Sequence, residues 1–287
     1  MDFKRVEWIF FLAFLGLNIF LFSIYRDARS EQDVVFRSNQ RVPIEQRLSS
    51  ENIQVNNELT KERLEGYYLS GEPANMKNLL DEARAQSNNP DLLKEGTTIE
   101  GGTLMHQVSK QVYISDSDRM DETLQNYFNQ EDSVLFGQEY VYVSEWSSID
   151  GEFPEAVAAQ TYEGIPINDP SGRLNLSLER HEDLLEVDSY TQTYISNLIP
   201  LREGMSLYSE EEIINTLYIN NKIPSSSIIR WQQLAYTLTL RVRGKSVYVP
   251  AWYVAIEMPD GSVQIERVNA LTNRIITNST VRTVENQ

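Results

Sequence analysis

The sequence predicts an α+β protein: one N-terminal transmembrane helix followed by a body of two antiparallel sheet-plus-helix domains. Three observations predict it. Residues 8–25 (WIFFLAFLGLNIFLFSIY) carry no charge. A helix start at 209–212 (SEEE) is followed by strands that alternate apolar and polar residues. The composition, 41% apolar with 15 Tyr and 10 Phe, is that of a chain that builds packed cores.

The uncharged run is 18 residues long. At the helical rise per residue it covers about 27 Å, close to the roughly 30 Å hydrocarbon core of a bilayer. Trp8 and Tyr25 stand at its two ends, where amphipathic rings favour the headgroup level. The run leads into Ser23-Ile24-Tyr25-Arg26-Asp27, which has no small-residue cleavage pattern, so an uncleaved anchor is expected. Lys4 and Arg5 favour a cytoplasmic start, but Arg26, Arg29, Arg37 and Arg41 lie on the other flank, and the positive-inside count does not decide orientation. The chain has no cysteine, a usage more at home outside a bacterial membrane, where thiols oxidise.

Beyond the anchor the chain is long enough for one large domain or two ordinary ones. The formal charge of −17 makes the body a poor ligand for nucleic acid and for anionic headgroups, so no nucleic-acid partner is expected. Pro43 at a first helical position predicts a short helix through Leu48, and residues 75–86 (NMKNLLDEARAQ) have helical spacing through Met76, Leu79, Leu80 and Ala83. Residues 111–115 and 140–144 read as strands, and Ser117 or Asp118 as the cap of a helix running to about Asn129. GEFPEA (151–156) marks a domain boundary. In the second half, 156–162, 172–178 and 185–194 read as a meander. Ser209 and Glu212 form a capping box, and Ile213, Ile214, Leu217 and Tyr218 share one face of the helix that follows. LAYTLTLRV then places Leu234, Tyr236, Leu238, Leu240 and Val242 on one side, RGKS turns the chain into VYVPAWYVAI, and PDG turns it into VQIERV.

Catalytic motifs fail one by one. Gly244-Lys245-Ser246 resembles the end of a phosphate-binding loop, but it sits in a hairpin and the first glycine would fall at Thr239. Asp116, Asp118 and Asp121 begin like a calcium loop that then lacks its glycine and places Tyr127 where a bidentate Glu belongs. His106 and His181 are the two histidines, and neither has a second histidine one helical turn away. No G-x-S-x-G occurs, and no carboxylate pair stands out among the many acids. No catalytic, cofactor-binding or metal-binding residue is therefore assigned, no cofactor is expected, and the protein is read as a non-enzyme.

The opening MDFKRVEWIFFLAFLGLNIFLF, the central ERLEGYYLSGE and the closing VYVPAWYVAI…IERVNALTNRII resemble the YycI family, accessory proteins of the WalK (YycG) sensor histidine kinase that controls cell-wall metabolism in low-GC Gram-positive bacteria. The resemblance spans essentially the whole chain. The closing block is also similar to PepSY-type modules, in which V-x-A-x-T is followed by Gly; here Val268-Asn269-Ala270-Leu271-Thr272 is followed by Asn273, a residue that tolerates the left-handed backbone. The resemblance implies a cytoplasmic tail (1–7), a transmembrane helix (8–25), a stalk (26–42) and an extracytoplasmic body, divided by the boundary above into α+β domains at 43–150 and 151–287. It further implies assembly with the kinase and the related protein YycH, membrane helices touching one another to set kinase activity.

Helix geometry says what such contacts would use. At about 100° per residue, Ala13, Gly16 and Phe20 fall on one side of the run and Asn18 on the roughly opposite side. Small residues let helices approach closely in lipid, and a polar side chain there seeks a partner, so these four residues are the candidate contact positions for two different neighbours. The alternative is an extracytoplasmic module that binds a cell-wall fragment or peptide in a cleft, and it would work without residues 1–25.

Overall fold

The computed structural model describes residues 8, 11, 14–18, 20, 42–114, 119–130, 132–182 and 184–277, with the backbone of 282–284. The chain divides into two compact units, Met1–Asn52 and Ile53–Gln287.

In the first unit, the described residues of the uncharged run are helical. Among the described residues no helix is long and apolar enough to cross a membrane. The tail at 1–7 and nearly all of the expected stalk lie outside the described residues. The helix after Pro43 is present as Ile44–Ser50, with Pro43 as the residue that caps it and not its first helical position. Glu45 in its first turn and Arg47 in its last match the sign of the helix dipole.

The second unit is a mixed α+β body, dominated by sheet and with few helices. One sheet runs, in spatial order, through Tyr140–Tyr142, Glu155–Tyr162, Arg173–His181, Leu184–Gln192, Thr103–Gln107 and Thr97–Glu100, every neighbour antiparallel. Helices Met76–Gln86 and Met120–Phe128 bury one face of it. Met76, Leu80 and Ala83 recur at helical spacing, as do Met120, Leu124 and Tyr127, and they meet Leu174, Leu176 and Leu178 at strand spacing. On the neighbouring strand the inward residues are Leu185, Val187 and then Tyr190. The step from 187 to 190 breaks the period of two because Ser177 pairs with Ser189 but Leu178 pairs with Val187, leaving Asp188 as a bulge. The first helix is capped by the Asn75 carboxamide, which accepts from the amides of Lys77 and Asn78. The second begins after Arg119 with no side-chain cap; Ser117 and Asp118, the expected caps, lie outside the described residues.

These strands lie on both sides of residue 150, and Tyr140–Tyr142 is hydrogen-bonded to Glu155–Tyr162. GEFPEA lies between strands that pair with each other. That segment is a connection between paired strands, a role that turn-rich composition alone cannot separate from a linker.

The hairpin of Glu155–Tyr162 and Ile165–Asn168, turned by Glu163 and Gly164 at φ 49 and 80, carries the pairing into a second region of sheet. Its centre is the long hairpin of Ile228–Val242 and Lys245–Glu257, whose turn residues Arg243 and Gly244 both have positive φ (51 and 80). Thus the Gly-Lys-Ser stretch does sit at a hairpin turn. Lys245–Glu257 pairs on its far side first with Leu69–Pro73 and then with Val263–Asn269. Pro250, which has no N–H to give, falls between those two partners, where no ladder on that side needs it. The expectation of purely antiparallel sheets is corrected on the other side. Gln54–Val55, Ile165–Asn168 and Arg282–Val284 all pair parallel to Ile228–Val242. All three arrive from distant parts of the chain, so no tight turn dictates their direction.

Register puts Leu234, Trp252 and Val268 side by side on one sheet face. Helix Glu210–Ile219 is tied to that face at both ends: the Trp252 indole N–H donates to the Tyr208 carbonyl at 2.9 Å, and Lys222 reaches Glu266 at 3.2 Å. The capping box at its start is complete, with Ser209 Oγ accepting from Glu212 N (3.4 Å) and Glu212 Oε2 from Ser209 N (2.9 Å). Substituting Ser209 with alanine is expected to cost about 1 kcal/mol. The check is a lower urea midpoint with an unchanged slope.

Candidate functional site

Of the four contact positions expected on the N-terminal run, Ala13 lies outside the described residues. Gly16, Asn18 and Phe20 are helical and exposed. A Cβ placed on Gly16 would meet nothing within 4 Å, so its surface is open to a neighbouring helix. Trp8 stacks edge-on against Phe11 at 5.9 Å, covering part of one ring at the end of the run.

Among the described residues of the body, no group of three or more His, Cys, Asp or Glu is placed to hold a metal ion. Asp121 lies in the first turn of helix Met120–Phe128; Asp116 and Asp118 are outside the described residues. His181 sits at an exposed strand end, with Nε2 3.1 Å from Glu186. Lys245 pairs with Glu72 at 3.2 Å.

His106 has a different setting. Strand register sets it between Thr97 and Tyr190, on the face that the two helices cover. Its Nδ1 shares a hydrogen bond with Thr97 Oγ1 at 2.8 Å and its ring lies 5.1 Å from that of Tyr190. Burial lowers its pKa below the ordinary histidine value, which keeps the imidazole neutral at neutral pH. The ring forms part of the wall of a cleft of about 520 Å³, together with Leu93, Val108, Ser109, Lys110 and Tyr127. The Arg84 guanidinium donates to the carbonyls of Leu92 and Leu93, fixing the loop on one side. On the other, Val108 N donates to Asp188 O and Val187 N to Val112 O, holding the segment that carries Ser109 and Lys110. Tyr127 comes from the second helix, 3% exposed, with burial pushing its phenol up to about 12. A second cleft of about 470 Å³ lies at the C-terminal ends of the two helices, rimmed by Gln86, Asn89, Asn129, Gln130 and Gln138.

Sequence reasoning singled out His106 but missed its surroundings. Lys94, His106, Tyr127 and Ser133 come from four separate elements, and no spacing rule joins them.

The structure thus defines a sheet-dominated α+β body with a polar cleft, following a helical, apolar N-terminal segment. The family described as YycI protein matches residues 31–271, and the chain belongs to that family. It is a family of regulatory, membrane-associated accessory proteins linked to the WalK system. A comparison with curated proteins finds no match. Among solved structures, an uncharacterized protein from Eubacterium rectale ATCC 33656 is similar at 10% identity and a TM-score of 0.39, over 79% of this chain and 91% of that one. The YpeB C-terminal domain of Bacillus megaterium is similar at 11% identity and a TM-score of 0.35, over 71% of this chain and 96% of that one.

Proposed function

We propose that this protein is a single-pass, membrane-anchored and non-enzymatic regulator of a WalK-type sensor histidine kinase, with its N-terminus cytoplasmic and its body extracytoplasmic. It acts together with YycH, mainly through contacts between transmembrane helices. The observation that carries this reading is membership of the YycI family over residues 31–271. The uncharged run at 8–25 supports the membrane part, being long enough to span and carrying Asn18 where a polar side chain in lipid looks for a partner. Phe14 and Phe20, 67% and 61% exposed, present large apolar surface with nothing packed on it, as a lipid-facing or partner-facing segment would.

Photo-crosslinking from single probes placed along positions 8–25 in intact membranes tests it. Adducts with the kinase and with YycH are expected from two helical faces, one containing Ala13, Gly16 and Phe20 and the other Asn18. Absence of adducts from every position, or equal yields all round the helix, would overturn helix contact as the working principle.

A second reading, an extracytoplasmic module for a wall fragment or peptide, is favoured by one observation: the cleft beside His106 has the volume of a small-molecule site.

A further inference from the structure

We infer that the cleft walled by His106, Tyr127 and Lys110 is a binding site for a small carboxylate-bearing ligand, about the size of a dipeptide. Tyr127 and Lys110 would hold the carboxylate. The inference deepens the second reading above and is independent of the membrane-helix reading, which stands or falls by crosslinking.

The first argument is an unanswered donor. Buried tyrosine hydroxyls ordinarily find a partner. In this body Tyr190 donates to Ser133 O at 2.7 Å, Tyr140 to Thr193 O, and the Tyr236 hydroxyl accepts from Tyr67 N at 3.3 Å. Tyr127 is as deeply placed as these, at 3% exposure, yet its hydroxyl makes no hydrogen bond among the described residues. It is not enclosed either, since Tyr127 lines the cleft and its oxygen is absent from the sealed, unpaired polar atoms of the interior. The hydroxyl is therefore satisfied from the cleft, by water or by a ligand.

The second argument is the set of groups that remains free. Of the acids on the wall, Asp91 takes Lys94 at 2.7 Å and Asp132 takes the Asn89 carboxamide at 3.0 Å. Lys110 makes no ion pair among the described residues, and the side chains of Ser109 and Ser133 make no hydrogen bond there. The free groups are thus the Tyr127, Ser109 and Ser133 hydroxyls, which can donate or accept, the Lys110 ammonium and the Glu95 carboxylate. One free ammonium and one free carboxylate on the same wall match a small zwitterion, with its carboxylate toward Lys110 and its amino group toward Glu95. A carboxylate accepts on both oxygens and suits one phenol and one ammonium. Glu95 on the same wall offers an acceptor to an amino group, which favours a zwitterion over a simple acid.

The third argument is volume. About 520 Å³ falls inside the range of small-ligand pockets, roughly 300–1,000 Å³. The apolar side chains of Leu93 and Val108 give a ligand side chain something to cover.

The test uses the full chain in detergent micelles, titrated calorimetrically with alanylalanine, its C-terminal amide and acetate. Saturable binding of alanylalanine is expected, with the amide at least about tenfold weaker, since a hydrogen bond to a charged group accounts for that much. Tyr127→Phe and Lys110→Gln should each weaken alanylalanine about tenfold or more by the same reasoning. Lys110 is exposed, so Lys110→Gln keeps the test open should Tyr127→Phe fail to fold. The inference is overturned if neither alanylalanine nor acetate binds saturably, if the amide binds as well as the acid, or if Lys110→Gln binds like the wild type.

Discussion

Trp252→Ala is expected to lower the melting temperature by roughly 10 °C. The side chain is 8% exposed on a strand that is buried along nearly its whole length. It lies in register between Leu234 and Val268, and its indole N–H holds the Tyr208 carbonyl at 2.9 Å, one residue before the capping box of helix Glu210–Ile219. Truncating a buried aromatic costs about 3–5 kcal/mol, and a body of this size loses roughly 2–4 °C per kcal/mol. Trp252→Phe separates the two contributions. It keeps most of the packing and leaves the Tyr208 carbonyl unpaired, so about 1–2 kcal/mol is expected. Scanning calorimetry of the full chain reads both. An unchanged melting temperature in Trp252→Ala would mean that the helix does not depend on this sheet face.

The strand that carries Trp252 was legible because local rules and the tertiary structure agree around it. The capping box at Ser209, the hairpin turn at Arg243-Gly244 and the left-handed Asn273 (φ 53) are each set by a few consecutive residues. Side-chain chemistry within one turn decides them before any tertiary contact forms. Other features lie where local rules do not reach. The parallel partners of Ile228–Val242 are drawn from residues 54–55, 165–168 and 282–284. The bulge at Asp188 reverses the inward face of a strand whose sequence shows no glycine or proline to announce it. The segment around GEFPEA carries turn composition, and the pairing of Ser148 with Glu155 shows it closing a sheet connection.

The cleft was hidden for the same reason. Tyr127 entered the sequence reading only as the residue that spoils a calcium loop, and Lys110 did not enter it at all. What marks them is a hydroxyl and an ammonium left unpaired by their neighbours, and that is a property of three-dimensional contacts. By contrast, the apolar N-terminal run is legible in one dimension, because a bilayer demands only length and lack of charge.

That run carries the larger functional expectation. If residues 8–25 hold regulatory information, replacing all of them by leucine, with both flanks and the body kept, should move kinase output toward that of a strain lacking the protein. The chimera must still insert, which a leucine span of equal length does readily, so loss of anchoring is not the cause. Single substitutions should do less. Interhelical polar contacts in membranes are worth only about 0.6–2 kcal/mol, and Asn18→Leu removes one of them. Gly16→Leu instead blocks close approach across a surface where nothing now stands within 4 Å of its Cβ position. The order of the two effects therefore tells which force dominates: Gly16→Leu stronger means backbone approach, Asn18→Leu stronger means the polar contact. A cell-wall hydrolase reporter reads the output, and membrane fractionation confirms insertion. A leucine chimera that regulates as well as the wild type would reduce the run to a tether and move the function into the body, where the cleft beside His106 becomes the first place to look.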